Sequence, residues 1–188
     1  DIFLHDRQTG TTDRVSVSST GDQADGVSER PSISADGRYV AFASEATNLV
    51  ADDTNDQWDV FVHDRQTGTT ERVSVDADGE EADGYSGDAA ISGDGRHVAF
   101  MSDADLTDDD TPLLSIFVHD RQTGTTTLGS PTLDGEPADS IATNASLSHD
   151  GRLVAFASAA SNQGPGAPPA GTPDATNVWV HDRIAGTT

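Results

Sequence analysis

The chain has 188 residues, with 10 Lys+Arg against 33 Asp+Glu and a formal net charge of -23. Every basic residue is Arg and Cys is absent, so a phosphate backbone would be repelled and neither a disulfide framework nor a thiolate nucleophile or metal ligand exists. No apolar run approaches the roughly 20 residues of a membrane span.

The first element, DIFLHDRQTGTTDRVSV from Asp1, returns as DVFVHDRQTGTTERVSV from Asp59, SIFVHDRQTGTTTLGS from Ser115 and NVWVHDRIAGTT from Asn177. A second block, PSISADGRYVAFAS from Pro31, recurs from Ala89 and from Ala145. A third, weaker block links them: GDQAD at Gly21, GEEAD at Gly79 and GEPAD at Gly135. Three blocks in a fixed order define a repeat with a period of about 58 residues. No charged-then-apolar signal segment stands at Asp1, and the absence of an initiator Met reads as a mature or excised piece.

Within each unit the apolar residues alternate, as in Val60-Phe61-Val62-His63 and Val40-Phe42, which is the period of a strand. Asp36-Gly37, Asp94-Gly95 and Asp150-Gly151 separate pairs of such runs and mark tight hairpins. Four strands emerge per unit: A around Ile33, B over Tyr39 to Ser44, C over Val60 to Asp64, and D over Arg72 to Val75. The expectation is one all-β domain over 1–188, with strands C and D of a partial blade in 1–18, blades in 31–76 and 88–130, and a partial blade in 143–188. Four-stranded antiparallel repeats of this kind are β-propeller blades. Roughly three of them are too few to close, so the chain is expected to be an arc of a larger or multi-chain propeller.

The blocks S-x-D-G-R-x-V-A-F and D-V-F-V-x-D-R-x-T-G-x-T resemble the TolB-like β-propeller repeat of bacterial and archaeal envelope and secreted proteins. The resemblance spans nearly the whole chain. It departs from the family's aromatic-Ser-Pro-Asp-Gly turn, having Ile33-Ser34-Ala35-Asp36-Gly37 instead. It implies an extracellular or envelope propeller used for binding or scaffolding.

Strand parity sends the A–B and C–D turns to one face and the B–C and D–A loops to the other. Most acids then fall on the long-loop face, and among the arginines only Arg30 does. Three explanations stay open: solubility in a saline medium, calcium binding, and recruitment of a basic protein partner. The calcium expectation rests on Asp53, Asn55 and Asp59 as side-chain ligands with the Gln57 carbonyl, because hard cations take six to eight oxygens from such spacing. A second set comprises Asp103, Asp105, Asp108 and Asp110. The turn Asp76-Ala77-Asp78-Gly79-Glu80 is a weaker candidate.

The recurring His5, His63, His119 and His181 would sit far apart around an axis, so they are read as structural. Asp64 is expected to pair with Arg38, Asp120 with Arg96, and Asp182 with Arg152. The string Gly84-Tyr85-Ser86-Gly87 falls one residue short of a nucleophile elbow, and there is neither H-E-x-x-H nor a phosphate-binding loop. The sequence thus points to a non-catalytic structural or binding module, calcium-stabilised on its acidic face. The alternatives are a self-assembling surface subunit and an accessory propeller of a larger enzyme, such as a prolyl-oligopeptidase-type peptidase.

Overall fold

A computed structural model describes residues 1–107, 113–132, 138–169 and 176–188. Among the described residues the regular elements are thirteen strands in four antiparallel sheets. The first sheet holds β1 (Phe3–His5) and β2 (Thr12–Arg14). The second is β3 (Ser28–Ile33), β4 (Tyr39–Ser44), β5 (Asp59–Asp64) and β6 (Thr69–Arg72), in that order. The third repeats it with β7 (Ser86–Ile91), β8 (His97–Ser102), β9 (Ser115–Asp120) and β10 (Thr125–Leu128). The fourth has β11 (Ala142–Leu147), β12 (Leu153–Ser158) and β13 (Asn177–Asp182). The order is C-D, A-B-C-D, A-B-C-D, A-B-C.

Why the sheets stack follows from the alternation. In β4 and β5, Val40, Phe42 and Phe61 point to one face, where they meet Ile2, Leu4 and Val15 of the first sheet. Ala41, Val60 and Val62 point to the other, against Ile91, Val98, Phe100 and Phe117 of the third. Ile116 and Val118 in turn meet Val154 and Phe156 of the fourth. Each sheet therefore shows a Phe-bearing face backward and a Val/Ile/Ala face forward. The rings pair across strands, Phe42 with Phe61 at 6.0 Å and Phe100 with Phe117 at 6.2 Å. Each buried Phe contributes roughly 1.5–3 kcal/mol of transfer free energy.

The A strands β3, β7 and β11 contact one another in succession, which makes them the inner strands, with β6 and β10 outermost. All three carry a bulge at the same place, between Glu29 and Ser32, Gly87 and Ala90, and Thr143 and Ser146. At each bulge a non-glycine residue is left-handed: Arg30, Asp88 and Asn144, with φ of 53°, 52° and 56°. Alternation alone does not reveal this. The bulge lets the A strand begin at Ser28, Ser86 and Ala142, slightly ahead of the starts read at 31, 88 and 143.

Candidate functional site: the acidic loop face

Recurring ion pairs hold the short-turn face, and the HDR motif explains how. Arg38 donates to Asp64 from Nε at 2.9 Å and Nη2 at 2.6 Å. Arg96 binds Asp120 in the same way at 2.8 and 2.5 Å, and Arg152 binds Asp182. In each case the hydrogen bond from Arg comes first among the causes that hold the Asp carboxyl well below its ordinary range. The arginine of the motif turns to the neighbouring hairpin: Arg65 donates to the Gly37 carbonyl at 2.8 Å, Arg183 to that of Gly151 at 2.9 Å, and Arg121 to that of Gly95.

The histidines tie one sheet to the next. Thr70 Oγ1 donates to the Val17 carbonyl at 2.5 Å and lies 2.9 Å from His63 Nδ1. A hydroxyl has one proton to give, so His63 Nδ1–H is the donor of the pair. The same relay runs from His119 through Thr126 to the Val75 carbonyl, and from His181 through Thr188 to that of Pro131. Burial first of all pushes the pKa of His63, His119 and His181 down, which keeps these rings neutral in their roles as fasteners.

On the opposite face the D–A and B–C loops meet. Asp25 accepts from the Thr47 N–H at 2.8 Å and hydroxyl at 3.0 Å. Asp139 holds the Ser161 N–H at 2.7 Å, and Asp103 holds the Tyr85 N–H at 2.7 Å. The last Asp of the GDQAD and GEPAD blocks is thus a loop tie, a role not evident from the sequence.

Of the expected ligands, Asp53 and Asp59 come together, and Glu81 of the following loop joins them; the three carboxylates lie within 4.8 Å of one another. The cation they share in this structure is Arg72. Its Nη1 binds Glu81 and lies 3.7 Å from Asp59, and its Nη2 donates to the Asp52 carbonyl at 2.9 Å. Asn55 presents its amide nitrogen, not its oxygen, to Asp59 at 3.2 Å, while its oxygen accepts the Gln57 N–H at 2.7 Å. Arg72 stands on strand D yet reaches the loop face, so the expectation that Arg30 alone serves that face is corrected. Arg30 itself lies in β3 and bonds Asp88 across the inner strands.

Asp59 is fully buried and accepts from Ser74 Oγ at 2.5 Å. Burial outweighs Ser74 and Arg72 and pushes its pKa up to about 6. Burial also raises Asp53. For Glu81 burial works in the same direction, but the bonds from Thr54 and the Arg72 charge prevail and hold it low. The first sheet repeats the arrangement without the extra acid: Arg14 donates to Gln23 Oε1 at 2.7 Å, Gln23 Nε2 to Asp1 at 3.0 Å, and Ser16 to Asp1 at 3.0 Å. An amide serves where Glu81 serves, as expected if the arginine requires only an acceptor.

In the second expected set, Asp108 and Asp110 lie outside the described residues, and Asp103 is engaged with Tyr85. Asp105 instead lines, together with Asp76 and Asp78, a cleft of about 590 Å³ to which Leu128, Thr126 and Thr127 also contribute. Asp76 is held in a turn by the N–H groups of Asp78 and Glu80, both at 2.9 Å. No helix among the described residues is long and apolar enough to cross a membrane.

No protein-family model matches the sequence, and no curated protein does. Solved structures do. TolB from Acinetobacter baumannii is 21% identical with a TM-score of 0.54, over 98% of this chain and 35% of that one. The putative TolB from Agrobacterium tumefaciens is 18% identical with a TM-score of 0.51, over 86% and 47%. The β-propeller domain of the Trilobed protease from Pyrococcus furiosus is 16% identical with a TM-score of 0.52, over 87% and 42%. The chain therefore spans less than half the length of each. Strand order, sheet stacking and these likenesses together make the chain a run of β-propeller blades with the fold seen in TolB.

Proposed function

We propose that the chain is a non-catalytic propeller module of an extracellular or envelope protein, and that it binds a basic protein segment through its long-loop face. The observation that carries this reading is the cleft between the Asp76–Asp78 turn and Asp105. Three carboxylates line this cleft beside the part-exposed Leu128, which suits Lys or Arg side chains whose stems pass over Leu128 while their heads meet the acids. The short-turn face supports the reading from the other side, because the recurring Asp, Arg and His groups are engaged within the fold, Asp with Arg, Arg with glycine carbonyls and His with Thr. The TolB-like resemblance supports the location. The likeness to a propeller domain of a protease suits an accessory role beside a catalytic domain, with the same cleft as the contact.

Calorimetric titration with a short Lys/Arg-rich peptide tests this. Binding at low salt that weakens steeply as salt is added, and weakens again in a chain carrying Asp76→Asn, Asp78→Asn and Asp105→Asn, supports it. Absence of binding at low salt rejects it.

Calcium is the second reading for this face, favoured by the closeness of Asp53, Asp59 and Glu81. Calcium would compete with Arg72, whose guanidinium binds Glu81 and lies 3.7 Å from Asp59. A melting midpoint that rises with calcium, and loses that rise in Asp53→Asn, supports the reading; a midpoint indifferent to calcium and chelator rejects it.

A further inference from the structure

Two turns share one backbone but carry different side chains, and the difference opens a sheet edge inside the row of blades. Ser18-Ser19-Thr20 and Asp76-Ala77-Asp78 are equivalent: the Ser18 N–H bonds the Asp22 carbonyl at 2.8 Å, and the Asp76 N–H bonds the Glu80 carbonyl at 3.1 Å. In the first turn Ser19 reaches the neighbouring sheet. Its hydroxyl accepts the Thr70 N–H at 2.9 Å and donates to the Thr70 carbonyl at 3.2 Å. Both main-chain groups of Thr70 thus point out of the edge of β6, away from β5. Thr126 holds the same place in the next sheet, opposite His119 as Thr70 is opposite His63. Its N–H and C=O therefore point out of the edge of β10. Ala77 stands where Ser19 stands and has no hydroxyl to give, and among the described residues nothing else takes these two groups. The surrounding hydroxyls change as well, to carboxylates. Asp76 and Asp78 replace Ser18 and Thr20, whose hydroxyls lie 2.8 Å apart in a hydrogen bond. Asp105 replaces Thr47, which donates to Asp25; each follows an Ala whose N–H bonds the serine hydroxyl ending the B strand. The three acids and Thr126 border one cleft.

We propose that the basic segment of the proposed function, a reading on which this inference rests, lies in the cleft as an extended strand added to the edge of β10. One of its residues exchanges N–H···O bonds with Thr126 in both directions, as an antiparallel pair does, and satisfies two groups that the fold leaves open. Side chains directly opposite across a ladder share a face, and the Thr126 hydroxyl donates to the Val75 carbonyl at 2.6 Å, next to Asp76. Every second side chain of the segment therefore points toward the Asp76 turn, which calls for Lys or Arg at alternate positions. Addition to a sheet edge takes its affinity from the main chain and its selectivity from alternate side chains. A second copy of a chain with net charge -23 would bring like charge to three carboxylates, so the occupant is a segment of a basic partner.

The test is amide hydrogen exchange of the full chain, read by NMR with and without a peptide carrying Lys at alternate positions, together with the affinity of that peptide for Ala77→Ser. Ala77 is exposed, and the substitution restores the turn hydroxyl without changing the charge. The peptide is expected to slow exchange at Thr126 at least about tenfold and to leave Thr70 unchanged. Ala77→Ser is expected to bind about tenfold more weakly or worse, since its hydroxyl competes for two hydrogen bonds. A peptide that binds while Thr126 exchanges as fast as before, or that binds Ala77→Ser as tightly as the wild-type chain, overturns the strand addition and leaves the acidic cleft as the binding site. Protection of Thr126 that rises with chain concentration in the absence of peptide assigns the edge to a second copy and overturns it too. Absence of any binding overturns both this proposal and the reading beneath it.

Discussion

Arg38 grips Asp64 with two nitrogens on two oxygens, Nε to Oδ1 at 2.9 Å and Nη2 to Oδ2 at 2.6 Å, and so locks the A–B turn to the end of strand C. The pair recurs as Arg96–Asp120 and Arg152–Asp182. Because Asp64 and Asp120 ionise more readily folded than unfolded, their contribution is present above the unfolded carboxyl value near 4 and is lost as pH falls through the lower folded value. Urea unfolding between pH 5 and 2 should show stability dropping with acid. Asp64→Asn should flatten that slope and cost about 1–2 kcal/mol at pH 7, the range for charged hydrogen bonds reduced for the partial exposure of Arg38.

Asp59 titrates in the opposite sense. Its folded pKa of about 6 lies above the ordinary value of 3.8, so the folded state holds the extra proton between the two. Stability should therefore fall as pH rises from about 4 to 6 and level off above. Carbon NMR of the carboxyl groups should find Asp59 titrating near 6, and Asp59→Asn should remove that part of the slope.

The His–Thr–carbonyl relay separates buried fasteners from an exposed one. Thr70 and Thr126 are buried between sheets, while Thr12, which faces His5 at 2.8 Å, is exposed. Thr70→Val leaves the His63 Nδ1–H and the Val17 carbonyl without their partner and should cost about 1–3 kcal/mol by chemical denaturation. Thr12→Val should stay within about 0.5 kcal/mol.

Two equivalent glycines should respond unequally. Gly37 and Gly95 are both left-handed, with φ of 74° and 75°. A Cβ at Gly37 meets only the end of Ile33, whereas one at Gly95 runs into the Tyr39 ring. That ring is fixed between Arg38 at 4.7 Å and Arg121 at 4.2 Å. Gly37→Ala should cost about 1–2 kcal/mol for its backbone alone. Gly95→Ala should cost about 1–3 kcal/mol more through overpacking between sheets.

The repeat made much of the fold readable. Apolar alternation and the Asp-Gly turns gave strand order, and that order, which ends strand C beside the A–B turn, foretold the Arg38–Asp64 pair. The inner-strand bulge was hidden because Arg30, Asp88 and Asn144 share a backbone conformation but no chemistry, and none is the glycine that such φ values favour. The acidic cluster was half visible. Asp53, Asn55 and Asp59 lie close in sequence and suggest a chelating loop, but Arg72 and Glu81 arrive from strand D and the next loop. Local spacing carries no record of a cation supplied by a neighbouring strand.

In the proposed function the long-loop face binds and the short-turn face holds the blades together. Amide NMR shifts of the chain during titration with the Lys/Arg-rich peptide separate the two faces. Perturbations are expected at Asp76, Ala77, Asp78 and Asp105 through Thr107, with the signals of Gly37, Arg38 and Arg65 unmoved. Shifts centred on Gly37, Arg38 and Arg65 with the acidic cleft silent would overturn the assignment.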